Sequence, residues 1–455
     1  MNADRSKAEG PVPRSSRASG EGGCPLPDPL PVAPGRISGS CVAPASKSVT
    51  NRALILAASA TGESVVSGAS DSDDTRLLRE ALEQLGVSIT ESPLGTLTIH
   101  PPSASSSAPG EKSVRIDVGH AGTTVRFLLP ILCRTPGEWI VDGSERMRER
   151  PIADLVKALR RLGGEIGHLG RDGFLPLEIR GGALRGGRVR LDASISSQFL
   201  SALLLSGPFL DGGIEVELTG TLASASYVRL TERSLASFGV PLESSGDSYR
   251  VGSQSVAGRR LALEGDWSGA AFLIGAAVLG GGPVTIRGLD HDSVQGDALF
   301  LEWVSRMGAR FRWDDGLEVE AGESLRGIEV DASDAPDAVP ALAVLAAFAE
   351  GETVVRGAAN LRVKESDRLA AICEGVRNLG TLAEETPDGL RIVGDSPLLR
   401  RNRSPVTIRT RDDHRLAMAF ALAGIAREGV LIENPGCVSK SFPGFWSVLE
   451  SLRAK

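Results

Sequence analysis

The sequence predicts an α/β fold built by sixfold internal repetition, and three observations carry that expectation. Amphipathic helical segments recur at intervals of roughly 70 to 77 residues. A second helical series, apolar on nearly all sides, lies between them. Each apolar segment then runs into a glycine followed by a short alternating strand. The length of 455 residues agrees, because it is about three times a typical domain of ~150 residues.

In chain order, the amphipathic series is Leu77 to Val87, Leu155 to Gly163, Leu230 to Gly239, Leu301 to Gly308, Leu369 to Gly380 and Trp446 to Leu452. Leucines at helical spacing give each one apolar stripe, and a glycine stops most of them, so these helices belong outside. The apolar series is Arg52 to Ala60, Thr123 to Leu132, Gln198 to Leu205, Gly269 to Leu279, Val339 to Ala349 and Leu416 to Ile425. Helices with no polar face belong at the centre. The strands begin at Gly62, Gly137, Gly213, Gly282, Gly351 and Gly429. The unit read from the residues is strand, buried helix, strand, outer helix, strand. A solenoid without any site is the alternative at this stage.

Composition narrows the function. Hydrophobic residues make up 41% and charged residues 24%, which supplies a core and excludes global disorder. The formal net charge is −7, arguing against nucleic acid or an anionic membrane as partner, so an anionic ligand must meet a local cation cluster. Five cysteines (Cys24, Cys41, Cys133, Cys373, Cys437) show no C-x-x-C spacing. They suggest a reducing compartment. No apolar run is long enough to span a bilayer. Residues 1 to about 35, rich in Pro, Gly, Ser and Arg, read as a disordered tail, with a transit peptide as the alternative. The histidines show no paired metal spacing, and no common nucleotide-binding loop or G-x-S-x-G elbow is present, so neither metal nor cofactor is expected.

The starts of the buried helices are polar throughout. Ser194, Ser268 and Asp334 read as ordinary N-caps. Lys47, Arg52, Arg126 and Arg415 do not, because the helix dipole disfavours cations in a first turn. Helix N-termini with nearby Lys or Arg form phosphate or carboxylate sites. Arg146 to Pro151 and Asn360 to Arg368 add charge at the entrances of two outer helices, and Lys440 precedes the last. Several such ends facing one cleft would hold a small, multiply charged anion.

Taken in order, Ser46-Lys47-Ser48-x-x-Asn51-Arg52, Ala121-Gly122-Thr123, Arg146-Met147-x-Glu149-Arg150-Pro151-Ile152, Ser196-Ser197-Gln198, Glu264-Gly265-Asp266, Gln295-Gly296-Asp297, Pro336-Asp337-Ala338, Arg362 to Arg368 and Asp413-His414-Arg415 resemble the 5-enolpyruvylshikimate-3-phosphate synthase family. The likeness runs from about residue 36 to the end. It implies a two-domain inside-out α/β barrel of six βαβαββ units, three per domain, with residues 36–45 plus 265–455 in one domain and 46–264 in the other. The implied reaction moves the enolpyruvyl group of phosphoenolpyruvate to the 5-hydroxyl of shikimate 3-phosphate, with release of phosphate.

Position by position, the resemblance implies shikimate 3-phosphate contacts at Ser48, Arg52, Ser196, Ser197, Ser224, Asn360 and Lys364. It implies a phosphoenolpyruvate site at Gly122, Arg150, Arg368, Arg415 and Lys440, with Lys47 and Gln198 touching both substrates. Asp337 is implied as the base near the hydroxyl and Glu365 as the acid at the methylene, while Lys47 and Lys440 stabilise charge. Sequence leaves open whether Asp337 or Lys47 takes the first proton. The two halves carry complementary parts of the site, so substrate-driven closure from an open form is expected. A monomer in the cytoplasm, inhibited by glyphosate through the retained Gly122, is the family expectation. The chain departs from the family pattern at Ala45 and His120, and in Ser224-Ala225-Ser226-Tyr227. An enolpyruvyl transferase for another acceptor, such as UDP-N-acetylglucosamine, and a non-catalytic anion-binding scaffold are the competing readings.

Overall fold

The computed structural model describes residues 26–93, 95–102 and 113–453. Its buried apolar side chains form two separate cores, one drawn from residues 54–256 and the other from residues 32–43 and 267–452. We call the bodies around them lobe B and lobe A respectively. The apolar segments are the helices Lys47–Ser59, Gly122–Arg134 and Ser197–Ser206 in lobe B, and Trp267–Gly280, Val339–Ala347 and His414–Ala426 in lobe A. Each set of three packs together at the centre of its lobe. Burial explains their composition: every residue from Trp267 to Leu279 is buried, so no face is left for polar side chains.

The amphipathic segments are the helices Asp73–Gln84, Ala153–Arg161, Ser226–Ser237, Leu299–Met307, Arg368–Leu379 and Phe445–Ser451, each half-buried. Gly308 and Gly380 end two of them with φ of +113° and +105°, a backbone turn that side chains resist.

Among the described residues six small mixed sheets complete the repeats, five of four strands and one of three. Val114–Asp117 shows the pattern: it pairs in parallel with Gly137–Asp142, which pairs antiparallel with Leu177–Gly181 and through it with Glu165–His168. The unit is thus βαβαββ, one strand longer than the residue pattern alone indicates. The extra strand is a four-residue edge such as Ser88–Glu91, with a single buried residue, too short for alternation to reveal it.

The chain crosses between lobes by exchanging two strands. Ile37–Val42 pairs in parallel with Gly281–Arg287 in lobe A, while Arg260–Ala262 pairs in parallel with Ser64–Ser67 in lobe B. The two crossing segments meet at a bridge between Ala45 and Gly265. The tail expected over residues 1–35 needs correction at its inner end: Leu30–Val32 forms a strand antiparallel to Val430–Ile432 and fills the sheet of the last repeat. Residues 1–25, with Cys24, lie outside the described residues. No helix among the described residues is long and apolar enough to cross a membrane.

The N-caps also differ from expectation. Ser46, Ser196, Asp266 and Asp413 cap their helices, accepting from Val49, Gln198, Gly269 and Arg415 backbone N–H groups. Ser194 lies two residues too early, and the Ser268 hydroxyl is spent on Asp297. Asp334 caps a helix of the opposite lobe, accepting from the Ser226 N–H at 3.0 Å.

Candidate active site

The starts of five of the six buried helices line one cavity between the lobes, that of Trp267–Gly280 being the exception. Lys47, Ser48, Gly122, Arg150, Ser196, Ser197, Gln198 and Ser224 line it from lobe B, and Asp337, Asn360, Lys364, Glu365, Arg368 and Arg415 from lobe A. Two of the sequence-expected residues stand outside this lining. Lys440 lines a neighbouring cavity and reaches the site by donating to Glu365 Oε1 at 2.7 Å and to the His120 carbonyl at 2.9 Å. Arg52 is fully buried in lobe B, where it donates to Thr231 Oγ1 and to the carbonyls of Ser48 and Tyr227 at 2.9 to 3.0 Å.

Two carboxylates organise the lobe A side. Asp337 accepts from Arg368 at 2.8 Å and pairs with Arg415 at 3.1 Å and Lys364 at 3.6 Å. Burial pushes its pKa up, but Arg415, Lys364 and Arg368 outweigh burial and hold it well below the usual carboxylate range. Glu365 accepts from Arg368 and Lys440, both at 2.7 Å, with Arg150 at 3.7 Å. Burial again acts upward, and Lys440, Arg368 and Arg150 again win, leaving Glu365 ionised. Arg368 is itself fixed by Asp413, which accepts from its Nε at 2.7 Å.

These ion pairs belong to a closed arrangement. The lobes are closed on each other: Arg146 donates to the Glu365 and Lys364 carbonyls, both at 3.0 Å, and Asn360 donates to Ser224 Oγ at 3.0 Å. In this arrangement Glu365 pairs with Arg150 across the cleft, while Asp337 and Asp74 neutralise Arg415 and Lys47 within their own lobes.

Gly122 provides room within its own lobe. A Cβ there would lie 2.5 Å from Arg126 Nη1 and 2.6 Å from Arg150 Nη1, so only glycine lets both buried guanidiniums approach the helix start. Arg126 in turn holds Gln198 Oε1 at 3.1 Å, and Gln198 donates to Thr123 at 3.0 Å.

Four cavity residues escaped the sequence reading. Asp74 pairs with Lys47 at 2.9 Å but looks like any acidic residue in a helix first turn. Thr123 follows Gly122 without a signal of its own. Tyr227 donates its hydroxyl to Asp337 Oδ2 at 2.8 Å across the lobe boundary. Burial, then Asp337 and Asp297, push its pKa well above the ordinary tyrosine value, so it stays a donor. His414 is buried with neither ring nitrogen hydrogen-bonded. Burial and Arg415 keep it neutral against the pull of Glu365. It stands in a quoted motif, and only its orientation into the cavity separates it from a core histidine.

Two three-repeat lobes that close serines, lysines and arginines around a buried carboxylate pair define an acid–base transferase for small polyanionic substrates. The chain matches the family model described as EPSP synthase (3-phosphoshikimate 1-carboxyvinyltransferase) over residues 32–449. It is 42% identical over 414 residues to a 3-phosphoshikimate 1-carboxyvinyltransferase of Syntrophobacter fumaroxidans, covering 90% of this chain and 96% of that one. A namesake from Methanosphaerula palustris is 40% identical over 411 residues, covering 90% and 95%. Among solved structures, an EPSP synthase from Acinetobacter baumannii superposes with a TM-score of 0.76 at 29% identity, covering 93% of this chain and 98% of that one. The enolpyruvyl transferase NikO of Streptomyces tendae, at 19% identity and a TM-score of 0.70 over 93% and 97%, shares the fold. The chain belongs to the EPSP synthase family. Its fold is the family's inside-out α/β barrel, and its activity is that of a 3-phosphoshikimate 1-carboxyvinyltransferase in aromatic amino acid biosynthesis.

Proposed function

We propose that the cavity holds shikimate 3-phosphate against Ser48, Ser196, Ser197, Ser224, Asn360 and Lys364, and phosphoenolpyruvate against Gly122, Arg150, Arg368, Arg415 and Lys440. Lys47 and Gln198 lie between the two. Arg52 supports the first group from behind, through the Ser48 and Tyr227 carbonyls. The observation that carries this reading is the pairing of Asp337 and Glu365 on one guanidinium inside a ring of cations.

Asp337 is ionised and takes the proton of the 5-hydroxyl, whose oxygen attacks C2 of phosphoenolpyruvate. The π electrons of the double bond take a proton at C3 from Glu365, giving a methyl group and a tetrahedral intermediate. In the second half C3 returns a proton to Glu365, the C2–O bond to phosphate breaks, and phosphate leaves with the proton held by Asp337. Lys47, paired with Asp74, donates hydrogen bonds rather than receiving the proton.

Glu365 must carry a proton to act, yet Lys440, Arg368 and Arg150 hold it ionised in the protein alone. Substrate resolves the conflict. Its phosphate and carboxylate draw on the same cations, so Glu365 loses their support and its pKa rises. The separation of roles between two carboxylates thus comes from what each faces when the cleft is filled.

The acceptor is shikimate 3-phosphate rather than a nucleotide sugar. Of the described cysteines Cys437 lies nearest, in the neighbouring cavity, and burial pushes its thiol up to about 12, which leaves no reactive cysteine there. The chain acts as a monomer, since one copy supplies both halves of the site. Free thiols at Cys41, Cys133, Cys373 and Cys437 favour the cytoplasm. Phosphate release from phosphoenolpyruvate tests the reading: it is expected with shikimate 3-phosphate and absent with UDP-N-acetylglucosamine, and the reverse preference would refute it.

A further inference from the structure

Tyr227 and Asp337 meet across the lobe boundary, and a second contact beside theirs fixes how they meet. Asp334, three residues before Asp337, accepts from the Ser226 N–H through Oδ1 at 3.0 Å, while its carbonyl accepts from the Ser226 hydroxyl at 2.6 Å. Its other carboxylate oxygen accepts from Arg229 at 3.0 Å. Three donors on the first turn of the helix Ser226–Ser237 therefore end on one residue of the opposite lobe. That helix has no side-chain cap of its own, so Asp334 satisfies an otherwise orphan N–H from across the cleft.

The contact is built tightly. A Cβ on Gly296 would lie 1.9 Å from the Asp334 carbonyl oxygen and 2.5 Å from Ser226 Oγ, so this glycine floors the junction. Ser226 is buried, and Pro336 stiffens the three-residue step from Asp334 to Asp337. On the other side of the junction, Ser224 and Tyr227 lie on either side of Ser226 in the chain, and both line the cavity. Two neighbouring residues of one lobe are thus clamped to two residues, three apart, of the other.

We infer that Asp334 is a positioning residue for the reaction: it latches Ser226 and Arg229 on closure, and so sets the Tyr227 hydroxyl against the Asp337 carboxylate and Ser224 against the acceptor substrate. The inference rests on the reading of Asp337 as base. The latch acts mainly on the acceptor half of the cavity, since Asp334 contacts none of Gly122, Arg150 and Lys440, and Arg368, which touches Asp337, is fixed separately by Asp413. Its loss weakens capture of shikimate 3-phosphate more than that of phosphoenolpyruvate.

Steady-state kinetics and melting of Asp334→Ala, Asp334→Asn, Arg229→Ala and Asp337→Ala test this. Asp334→Ala raises KM for shikimate 3-phosphate about tenfold, the worth of one charge-assisted hydrogen bond. KM for phosphoenolpyruvate and the melting temperature stay near wild type, because neither core is touched. Asp334→Asn keeps an acceptor for the Ser226 N–H and recovers most of the loss. Arg229→Ala costs about threefold, as an exposed pair does. An unchanged KM in Asp334→Ala, or both KM values rising together with a lowered melting temperature, overturns the latch. Asp337→Ala abolishes phosphate release; if it does not, the base assignment fails and the latch with it, whereas a dead Asp337→Ala beside a wild-type Asp334→Ala sinks the latch alone.

Discussion

Asp337 and Glu365 share one guanidinium: Arg368 donates to Asp337 through Nη1 at 2.8 Å and to Glu365 through Nη2 at 2.7 Å. Arg368 is 1% exposed and held from behind by Asp413, so the two carboxylates cannot move independently. Their spacing is set by a planar fork, which a lysine would not reproduce. Removing either carboxylate removes a proton carrier and releases cations for substrate. Glu365→Gln and Asp337→Asn each lower kcat by about 10² to 10⁴. Because Lys440 and Arg150 lose a competing anion in Glu365→Gln, KM for phosphoenolpyruvate does not rise. A raised KM with unchanged kcat would place Glu365 in binding instead of proton transfer.

Gly122 tests the shape of the phosphoenolpyruvate side. A methyl group at this position meets Arg126 and Arg150 at 2.5 to 2.6 Å, and both guanidiniums are buried with little room to retreat. Gly122→Ala raises KM for phosphoenolpyruvate about tenfold, as a shifted charge-assisted contact would, and weakens glyphosate at least as much. KM for shikimate 3-phosphate should hold, and a change confined to that substrate would contradict the placement of Gly122.

The pair of Lys47 with Asp74 is nearly enclosed, with Asp74 buried and the Lys47 side chain 14% exposed. Asp74→Asn leaves an ammonium without its partner, and kcat falls about tenfold as Lys47 loses its orientation. Inorganic phosphate then binds the free protein more tightly by calorimetry, because the uncompensated charge attracts anions. Weaker phosphate binding would show that Asp74 does not restrain Lys47.

The repeat was legible because each unit obeys one rule, a helix without a polar face followed by glycine and a strand. The short edge strands were not, since a four-residue strand carries too little alternation to register, and the exchange of Ile37–Val42 with Arg260–Ala262 was legible only through the family resemblance, because neither strand alternates cleanly between buried and exposed residues. Cations in first turns signalled the site because they violate a local preference. Asp74, Tyr227 and Asp334 violate none: an acid in a first turn, a tyrosine in a helix and an acid before a helix all have ordinary local readings. Their partners lie 27, 110 and 108 residues away, at contacts that only tertiary structure creates. Arg52, expected beside the first turn, is the sixth residue of the helix Lys47–Ser59, and its donors meet Thr231 and the Tyr227 carbonyl inside its own lobe.

Asp297 gives a stability test independent of turnover. It is buried beside Ser268, and burial together with Asp337 raises its pKa to about 7, against the opposing pull of Arg415. A carboxyl raised on folding binds more protons in the native state than in the unfolded one. Its stabilising share is therefore full below the unfolded value near 4 and is lost as pH rises through 7. Asp297→Asn removes that loss, so its gain over wild type grows from pH 4 to 7 and levels above, at no more than about 4 kcal/mol. Melting curves at pH 5 and pH 8 measure it, and an equal or smaller gain at pH 8 would refute a raised Asp297.

Proton transfer to C3 by Glu365 is tested most directly by deuterium incorporation. Protonation at C3 makes a methyl group and elimination returns a methylene, so wild type turning over in deuterium oxide places deuterium in the enolpyruvyl methylene, visible by NMR. Glu365→Gln, incubated at high concentration with both substrates until measurable product forms, should exchange label into recovered phosphoenolpyruvate and product only as slowly as its lowered kcat. Exchange in Glu365→Gln at the wild-type rate would contradict the assignment of the acid and require another group at C3.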